Sequence, residues 1–437
     1  MTNCTPEKIK FPACKNRKVE SAFSGGDITS DGGSMLLRQV DRRLGLLRQV
    51  ADKLSDARRR SSCEHSLLSL LRQRVYALAL GYEDLNDHDR LRIDPALQTA
   101  VERDTTLAGS ATLCRWENRA DRKVAWDIHR VLLDQFVASF KTPPEELILD
   151  FDATDDPVHG NQEKRFFHGY YDAYCFLPLY VFCGDQLLVS YLRPGKIDGA
   201  KHAWAILALL IKRLRQSWPD VRVVFRGDSG FCRDRMLSWC ERKDVKYIAG
   251  IARNSRLEAA GRDLQEQAER KYEETKQKQR LFGEISYAAL TWDCKRRVIV
   301  KAEHTKQGPN PRFVITNLKG EPQKLYDNVY CARGEMENRI KEQQLDLFAD
   351  RTSCHKWWPN QFRLLLASLA YMLMEAIRRL ALKNTDLARA QCGTIRLKLL
   401  KIGAAVVRNT RRVILHLSSS YPYQNLFRQV AENLAPG

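Results

Sequence analysis

Residues 147–160 read LILDFDATDDPVHG, and this stretch constrains the chain more than any other. An apolar run of strand length ends in four carboxylates, Asp150, Asp152, Asp155 and Asp156, within seven residues. Period-two alternation sets Leu147, Leu149 and Phe151 on one face and Ile148, Asp150 and Asp152 on the other. Burying such acids costs on the order of several kcal/mol each unless a cation or a hydrogen-bond network compensates. A hard divalent cation held by oxygen ligands is the economical compensation. A cap or Asx-turn cluster uses the same residue types and is the plainer reading.

At 437 residues the chain can hold two or three domains, and its 44% hydrophobic content is that of a globular protein. No apolar run is long enough to span a membrane, and MTNCTPEKIKFPACKNRK at the start lacks the apolar core of a signal peptide. A cytoplasmic, bacterial-type, nucleoid-associated protein is the expectation. The 12 cysteines are scattered, with neither C-x-x-C nor zinc spacing, and read as reduced small hydrophobes. Net charge is +19. From Arg351 onward fourteen Lys and Arg face three acids, a net of +11. Such a surface suits a polyanion, most commonly nucleic acid, with ribosomal association or plain solubility as the bland alternatives.

Residues 1–33 form a basic, turn-rich arm with one short strand expected around Val19–Phe23. Residues 34–144 have helical periodicity, as in Leu67, Leu71, Val75 and Leu78. Within them Ser110 can cap a helix that carries Thr112, Arg115, Asn118 and Arg119 on exposed positions. Arg115 and Arg119 are the DNA-contact candidates of a helix-turn-helix, against the alternative of an ordinary helical hairpin. Arg58-Arg59-Arg60 suits solvent or phosphates better than base edges.

Lys141-Thr142-Pro143-Pro144 marks a boundary. Strands are expected over Leu147–Ala153, Tyr171–Cys183 and Gln186–Leu192, with a hairpin at Gly184-Asp185. A helix (Ala200–Gln216), a strand (Val221–Gly227), a helix (Arg233–Glu241) and a strand (Val245–Ala252) follow. Three strands and then alternating helix and strand is the order of a ribonuclease-H-like α/β domain, whose mixed sheet carries acids at strand ends. Residues 145–255 are therefore the first part of a catalytic domain. Residues 256–329, a charged helical stretch and then strands Leu281–Leu290, Arg297–Glu303 and Arg312–Asn317, read as a β-rich insertion. Residues 330–383 are the second part of the domain, with a buried apolar helix at Phe362–Leu382. Residues 384–437 form a basic, mostly helical C-terminal region with one strand at Val413–Leu417.

Two more acids stand out. Asp228, in VVFRGDSGF, follows an apolar strand and is flanked by Gly227 and Gly230. Glu337, in YCARGEMENRIKEQQ, opens a helix with Arg333 and Lys341 four residues to either side. Two strand-end Asp residues and a helical Glu can hold two divalent ions about 3.5–4 Å apart, which activate water or a 3′-hydroxyl and stabilise the leaving oxygen. Each acid alone also reads as a cap or a salt bridge.

SDGGSMLLRQVD, LLRQRVYALALGYEDLNDHD, LAGSATLCRWENR, DFDATDDPVHG, RGDSGF and YCARGEMENRIKE together resemble the DDE transposases of bacterial insertion sequences, specifically the insertion-sequence thirteen-eighty family. The middle of the resemblance covers residues 145–380. It implies Asp152, Asp228 and Glu337 as the catalytic, metal-holding acids, with two Mg²⁺ ions per site and Mn²⁺ as a substitute. Asp150 and Asp155 stay open as accessory ligands. The wider group carries Y-x2-R-x3-E-x6-K. Tyr330, Arg333 and Glu337 fit it, but Gln344 stands at the lysine position, and Lys341 offers a phosphate-binding charge instead. The long interval between Asp228 and Glu337 matches relatives with a β-rich insertion. There an aromatic can stack on a flipped base, and Trp292 is the candidate, with a core Trp as the alternative. His159 and His168, around Lys164-Arg165, read as structural or DNA-adjacent, because magnesium prefers oxygen.

By resemblance the protein is a cut-and-paste transposase. Its N-terminal helices and basic C-terminus would bind terminal inverted repeats, as a dimer or larger assembly on DNA. It would cleave the ends through a hairpin and join the 3′-hydroxyls to target DNA. The rivals are a nuclease that cuts without joining and a non-catalytic DNA-binding regulator. A metal-independent RNA-binding protein would leave the acidic strand end unexplained.

Overall fold

The computed structural model describes residues 7–59 and 63–435, so Arg60 of the arginine run lies outside the described residues. The chain forms two compact units. One takes the residues up to Arg119, Asp346–Phe348 and everything from Leu369; the other takes Ala120–Leu345 and Ala349–Ser368.

The second unit is built on a mixed sheet with eight main strands: β1 (Glu146–Ala153), β2 (Leu179–Cys183), β3 (Gln186–Tyr191), β4 (Arg222–Gly227), β5 (Lys246–Ile251), β6 (Gln279–Tyr287), β7 (Arg296–Thr305) and β8 (Arg312–Thr316). Their spatial order is β6-β7-β8-β5-β4-β1-β2-β3. The first three strands are antiparallel, and β4 and β5 run parallel to β1. This is the mixed arrangement expected from the chain order. The alternation in β1 also holds: Leu147, Leu149 and Phe151 join Val223 and Phe225 under the helices Arg122–Ala138, Ala203–Ser217 and Asp234–Arg242. The opposite face, with Val224, Ile248, Ile299 and Val314, is covered by Leu325 and Tyr326.

The strands expected as an insertion continue this same sheet. β8 pairs antiparallel with β5, and β7 and β6 follow outward. The cause is visible in β7, where Val298, Ile299 and Val300 are consecutively buried. A strand apolar on both faces needs cover on both, which the middle of a sheet supplies. The expected strand Tyr171–Cys183 is two strands, Ala173–Phe176 and β2, divided at Pro178, which has no N–H to donate. The first of them belongs to a small three-stranded sheet with Asp156–Pro157 and Phe166–His168.

In the other unit Ile9–Cys14 and Arg17–Ser21 form a hairpin where one strand was expected. Ile28–Thr29 pairs with Ala404–Arg408, which pairs with Val413–Leu417. Helices include Ser34–Leu44, Leu67–Leu80, Ser110–Glu117 and Gln424–Leu434. Arg58 is held by Asp56, with Nη2 2.7 Å from Oδ2. Among the described residues no helix is long and apolar enough to cross a membrane.

Candidate active site at the ends of β1 and β4

Asp152 is the penultimate residue of β1, on the face opposite the main core, with its side chain 14% exposed. Burial is the largest influence on its carboxyl, and the negative charges of Asp228 and Glu337 add to it. Together they outweigh Arg333 and push the group up to about 6. Arg333 is the cation at this spot: its Nη1 is 3.3 Å from Asp152 Oδ2 and its Nη2 2.8 Å from Glu337 Oε1. Burial works against the guanidinium charge, but those carboxylates hold its pKa above the ordinary value.

Asp228 follows the last residue of the parallel neighbour β4. Its Oδ1 accepts from Gly230 N at 2.8 Å, capping the short turn Ser229–Phe231. Gly250 of β5 shapes the neighbouring wall. A Cβ there would meet the Tyr330 hydroxyl at 2.7 Å and Ser229 N at 2.9 Å, so glycine alone lets that hydroxyl lie against the Asp228 turn. Burial raises the Tyr330 hydroxyl pKa; Arg333 pulls it down and Asp228 pushes it up.

Glu337 lies in the helix Gly334–Lys341, exposed apart from its bond to Arg333. The flanking turns are irregular: Leu325–Tyr330 and Glu342–Asp346 are π-helical, and Cys331–Arg333 is a 3-10 turn. Such π segments concentrate at functional sites, because they re-aim side chains within one helix. Arg339 fastens this helix to the β2–β3 turn, with Nε 2.7 Å from Asp185 Oδ1.

Three carboxylates are the right donors for a hard divalent cation. An acid held near pH 6 by burial and by two like charges is where such a cation would relieve the most repulsion. Among the described residues no three acidic, His or Cys side chains stand close enough to hold an ion as they are. Arg333, hydrogen-bonded to both Asp152 and Glu337, stands between those two acids.

The other candidates fall elsewhere. Asp150 is buried and bound by Arg226, with Nη2 2.7 Å from Oδ2 and Nε on Oδ1. Arg226 also donates to the carbonyl of Val329, so this pair links β1 and β4 to the turn before Tyr330. Asp155 is half-buried, and its carbonyl accepts from Gln344 Nε2 at 3.0 Å. Gln344 thus spans from the helix to the end of β1 by hydrogen bonding. Asp156 is buried, with Thr352 Oγ1 donating to it at 2.9 Å. Lys341 is exposed.

Trp292 is half-buried, with its ring 5.5 Å from Tyr287 and the Arg296 guanidinium 5.3 Å away. The register runs Phe151–Gly227–Ala249–Ile315–Val298 across the sheet. Arg296 lies beyond that row on the side away from Asp152, and the turn carrying Trp292 leaves the sheet there. Four strand steps at about 4.8 Å each add to the separation. The structure therefore does not bring Trp292 to the acids. In the other unit Arg115 and Arg119 are exposed near the end of Ser110–Glu117, as expected of that helix. Ser110 donates to Asp89 instead of capping. His159 is exposed, and His168 lies 4.9 Å from Tyr171, ring to ring.

Sequence reading missed Tyr171. Burial, and then the charges of Asp155, Asp152 and Asp228, push its hydroxyl up to about 12. Its place in the turn of the small sheet follows from the pairing of Phe166–His168 with Ala173–Phe176, which alternation along β1 cannot show.

The family model described as transposase DDE domain group 1 matches residues 11–436. No curated protein matches the chain. Among solved structures it is similar to a piggyBac transposase synaptic complex with hairpin DNA, at 10% identity and a TM-score of 0.40, covering 90% of this chain and 81% of that one. No residue role is carried over from that likeness. With almost its full length matched by the family model, the chain belongs to the DDE transposases, in the group 1 DDE domain family.

Proposed function

We propose that the protein is the transposase of a bacterial insertion sequence of the thirteen-eighty family, with Asp152, Asp228 and Glu337 as its catalytic acids. The observation that carries this reading is geometric: Asp152 and Asp228 stand at the ends of the adjacent parallel strands β1 and β4, and Arg333 hydrogen-bonds to both Asp152 and Glu337. The buried Asp152 carboxyl, raised to about 6, adds to it, since perturbed carboxylates are enriched at functional sites. The three acids would hold two Mg²⁺ ions, with Mn²⁺ as a substitute. When bound, these ions lower the pKa of water and stabilise the leaving oxygen of the phosphodiester.

The protein's own groups supply the rest. Tyr330, Arg333 and Lys341 hold the scissile phosphate from the Glu337 side. Arg115 and Arg119 contact the terminal inverted repeats, and the basic C-terminal region adds non-specific affinity. Cleavage passes through a hairpin, the freed 3′-hydroxyl joins target DNA, and two copies act together on paired ends in the bacterial cytoplasm.

The test is an end-labelled duplex carrying the element's own terminus, incubated with protein and Mg²⁺ beside unlabelled target DNA. Hairpin and joined products on a denaturing gel support the proposal. Nicks without either product point to a nuclease, and binding with no cut points to a regulator.

A further inference from the structure

The helices Arg122–Ala138 and Ala203–Ser217 cover one face of the sheet and close on each other near their C-terminal ends. There Trp218 meets Phe136 and Phe140 edge to face at 6.2 and 5.1 Å, and Arg213 Nη2 lies 2.8 Å from Asp134 Oδ1. Along their remaining length a cavity of about 710 Å³ runs between them, with Leu188 and Tyr191 of the edge strand β3 also in its lining. Each helix gives it a stripe at helical spacing: Trp126, Arg130 and Leu133 from one, Ile206, Leu209 and Arg213 from the other. Trp126 is 50% exposed and Leu209 48%, so each wall carries a large apolar anchor in the open.

Cations are set along both walls. Arg122 and Arg130 stand about 12 Å apart along one helix, Lys212 stands on the other, and all three are exposed. Arg213 is neutralised by Asp134, the single acid of the lining among the described residues, whereas Arg122, Arg130 and Lys212 form no ion pair among them. A single-headed amphiphile would engage one of these cations and leave the others unused. Phosphates of duplex DNA would leave Trp126 and Leu209 in water. A second copy presenting this same face would set like charges against like. A helix with acids flanking an apolar stripe satisfies the floor and both walls at once.

We propose that the groove between these two helices receives an acidic amphipathic helix of a partner protein, with Trp126, Ile206 and Leu209 as the apolar anchors and Arg122, Arg130 and Lys212 pairing with its carboxylates. The wall from Arg122 to Asp134 is about 18 Å long, which an occupant of about three to four helical turns fills. Its apolar side chains would recur at three- and four-residue steps, as in other helix-in-groove complexes. This adds a protein partner to the DNA partners of the transposase reading and does not depend on that reading.

The experiment uses the full chain and two fluorescein-labelled peptides of about four helical turns, read by anisotropy without DNA or metal. One carries leucines at three- and four-residue spacing flanked by glutamates; its twin has lysine for every glutamate. Wild type should bind the glutamate peptide at least about tenfold more tightly than the lysine peptide. Trp126→Ala should cost at least about thirtyfold, as for a central anchor. The double variant Arg130→Ala, Lys212→Ala should cost at least about fivefold and flatten the salt dependence. Its two positions are exposed, so the fold, followed by circular dichroism, is retained and this variant decides even where Trp126→Ala loses stability. Failure to bind the glutamate peptide, equal binding of both peptides, or wild-type affinity in the double variant overturns the proposal. Displacement of the peptide by stoichiometric dodecanoate or by duplex DNA also overturns it, in favour of an amphiphile or a nucleic-acid site.

Discussion

Arg333 joins Asp152 across the fold, its Nη1 3.3 Å from Oδ2, and with its other nitrogen it binds Glu337 one helical turn on. A guanidinium that holds two proposed metal ligands is a competitor for the metal. Arg333→Gln should therefore tighten Mn²⁺ binding, by roughly tenfold on the Coulomb scale of a partly buried pair, while weakening DNA binding and cleavage. Mn²⁺ titration followed by electron paramagnetic resonance reads the first effect. Unchanged or weaker Mn²⁺ affinity in the variant would show that Arg333 and the ions do not share the acids.

The pH response follows from Asp152. Its folded pKa of about 6 lies above the ordinary carboxylate value, so the metal-free fold binds that proton more tightly than the unfolded chain does. The sign is fixed. Between about pH 4 and 6 ionisation of this group removes stability from the metal-free protein as pH rises, and metal binding gains over the same interval. Cleavage and Mn²⁺ affinity should fall about tenfold per pH unit below 6. In Asp152→Asn the metal-free Tm should lose that component of its fall between pH 4 and 6. An identical Tm-against-pH profile for wild type and variant contradicts the account.

Asp150 and Asp152 should behave oppositely. Asp150→Ala leaves Arg226 buried without its carboxylate, which costs about 3–5 kcal/mol. The urea midpoint should drop accordingly, and the loss of cleavage should track unfolding. Asp152→Asn should abolish cleavage with the urea midpoint retained. A stable Asp150→Ala protein that fails to cut would return Asp150 to the list of ligands.

Gly250→Ala tests the wall behind the site. The added methyl must displace the Tyr330 hydroxyl or the Ser229 backbone, and misplacing a phosphate-positioning group by about 1 Å costs roughly 10²-fold in rate. Single-turnover cleavage should drop on that scale while the fold, followed by circular dichroism, is retained. Full-rate cleavage by this variant would mean that the Tyr330 position is not required.

Much of this site was legible in the sequence. Strand alternation put Leu147, Leu149 and Phe151 in the core and Asp152 on the other face, and the Gly227-Asp228 and Glu337 stretches pointed to the strand end and helix where those acids lie. Alternation could not separate Asp150 from Asp152, because both face the same side. What separates them is Arg226, which the β1–β4 register sets directly opposite Asp150 from 76 positions away. Nor could periodicity tell an insertion from a sheet extension. That depends on which edge β8 chooses, and β5 offers it an apolar, unpaired one. The π-helical turns around Glu337 follow no local signal that propensity captures, and the small sheet that carries Tyr171 forms only through tertiary pairing.

The most direct measurement is cleavage of the labelled terminal duplex with Mg²⁺ by wild type, Asp152→Asn, Asp228→Asn and Glu337→Gln, with DNA affinity recorded for each. The account predicts that wild type cuts at the element's end and that all three variants bind as well as wild type without cutting. A variant that cuts at the wild-type rate would remove its residue from the site, and normal cutting by all three would refute the three-acid centre.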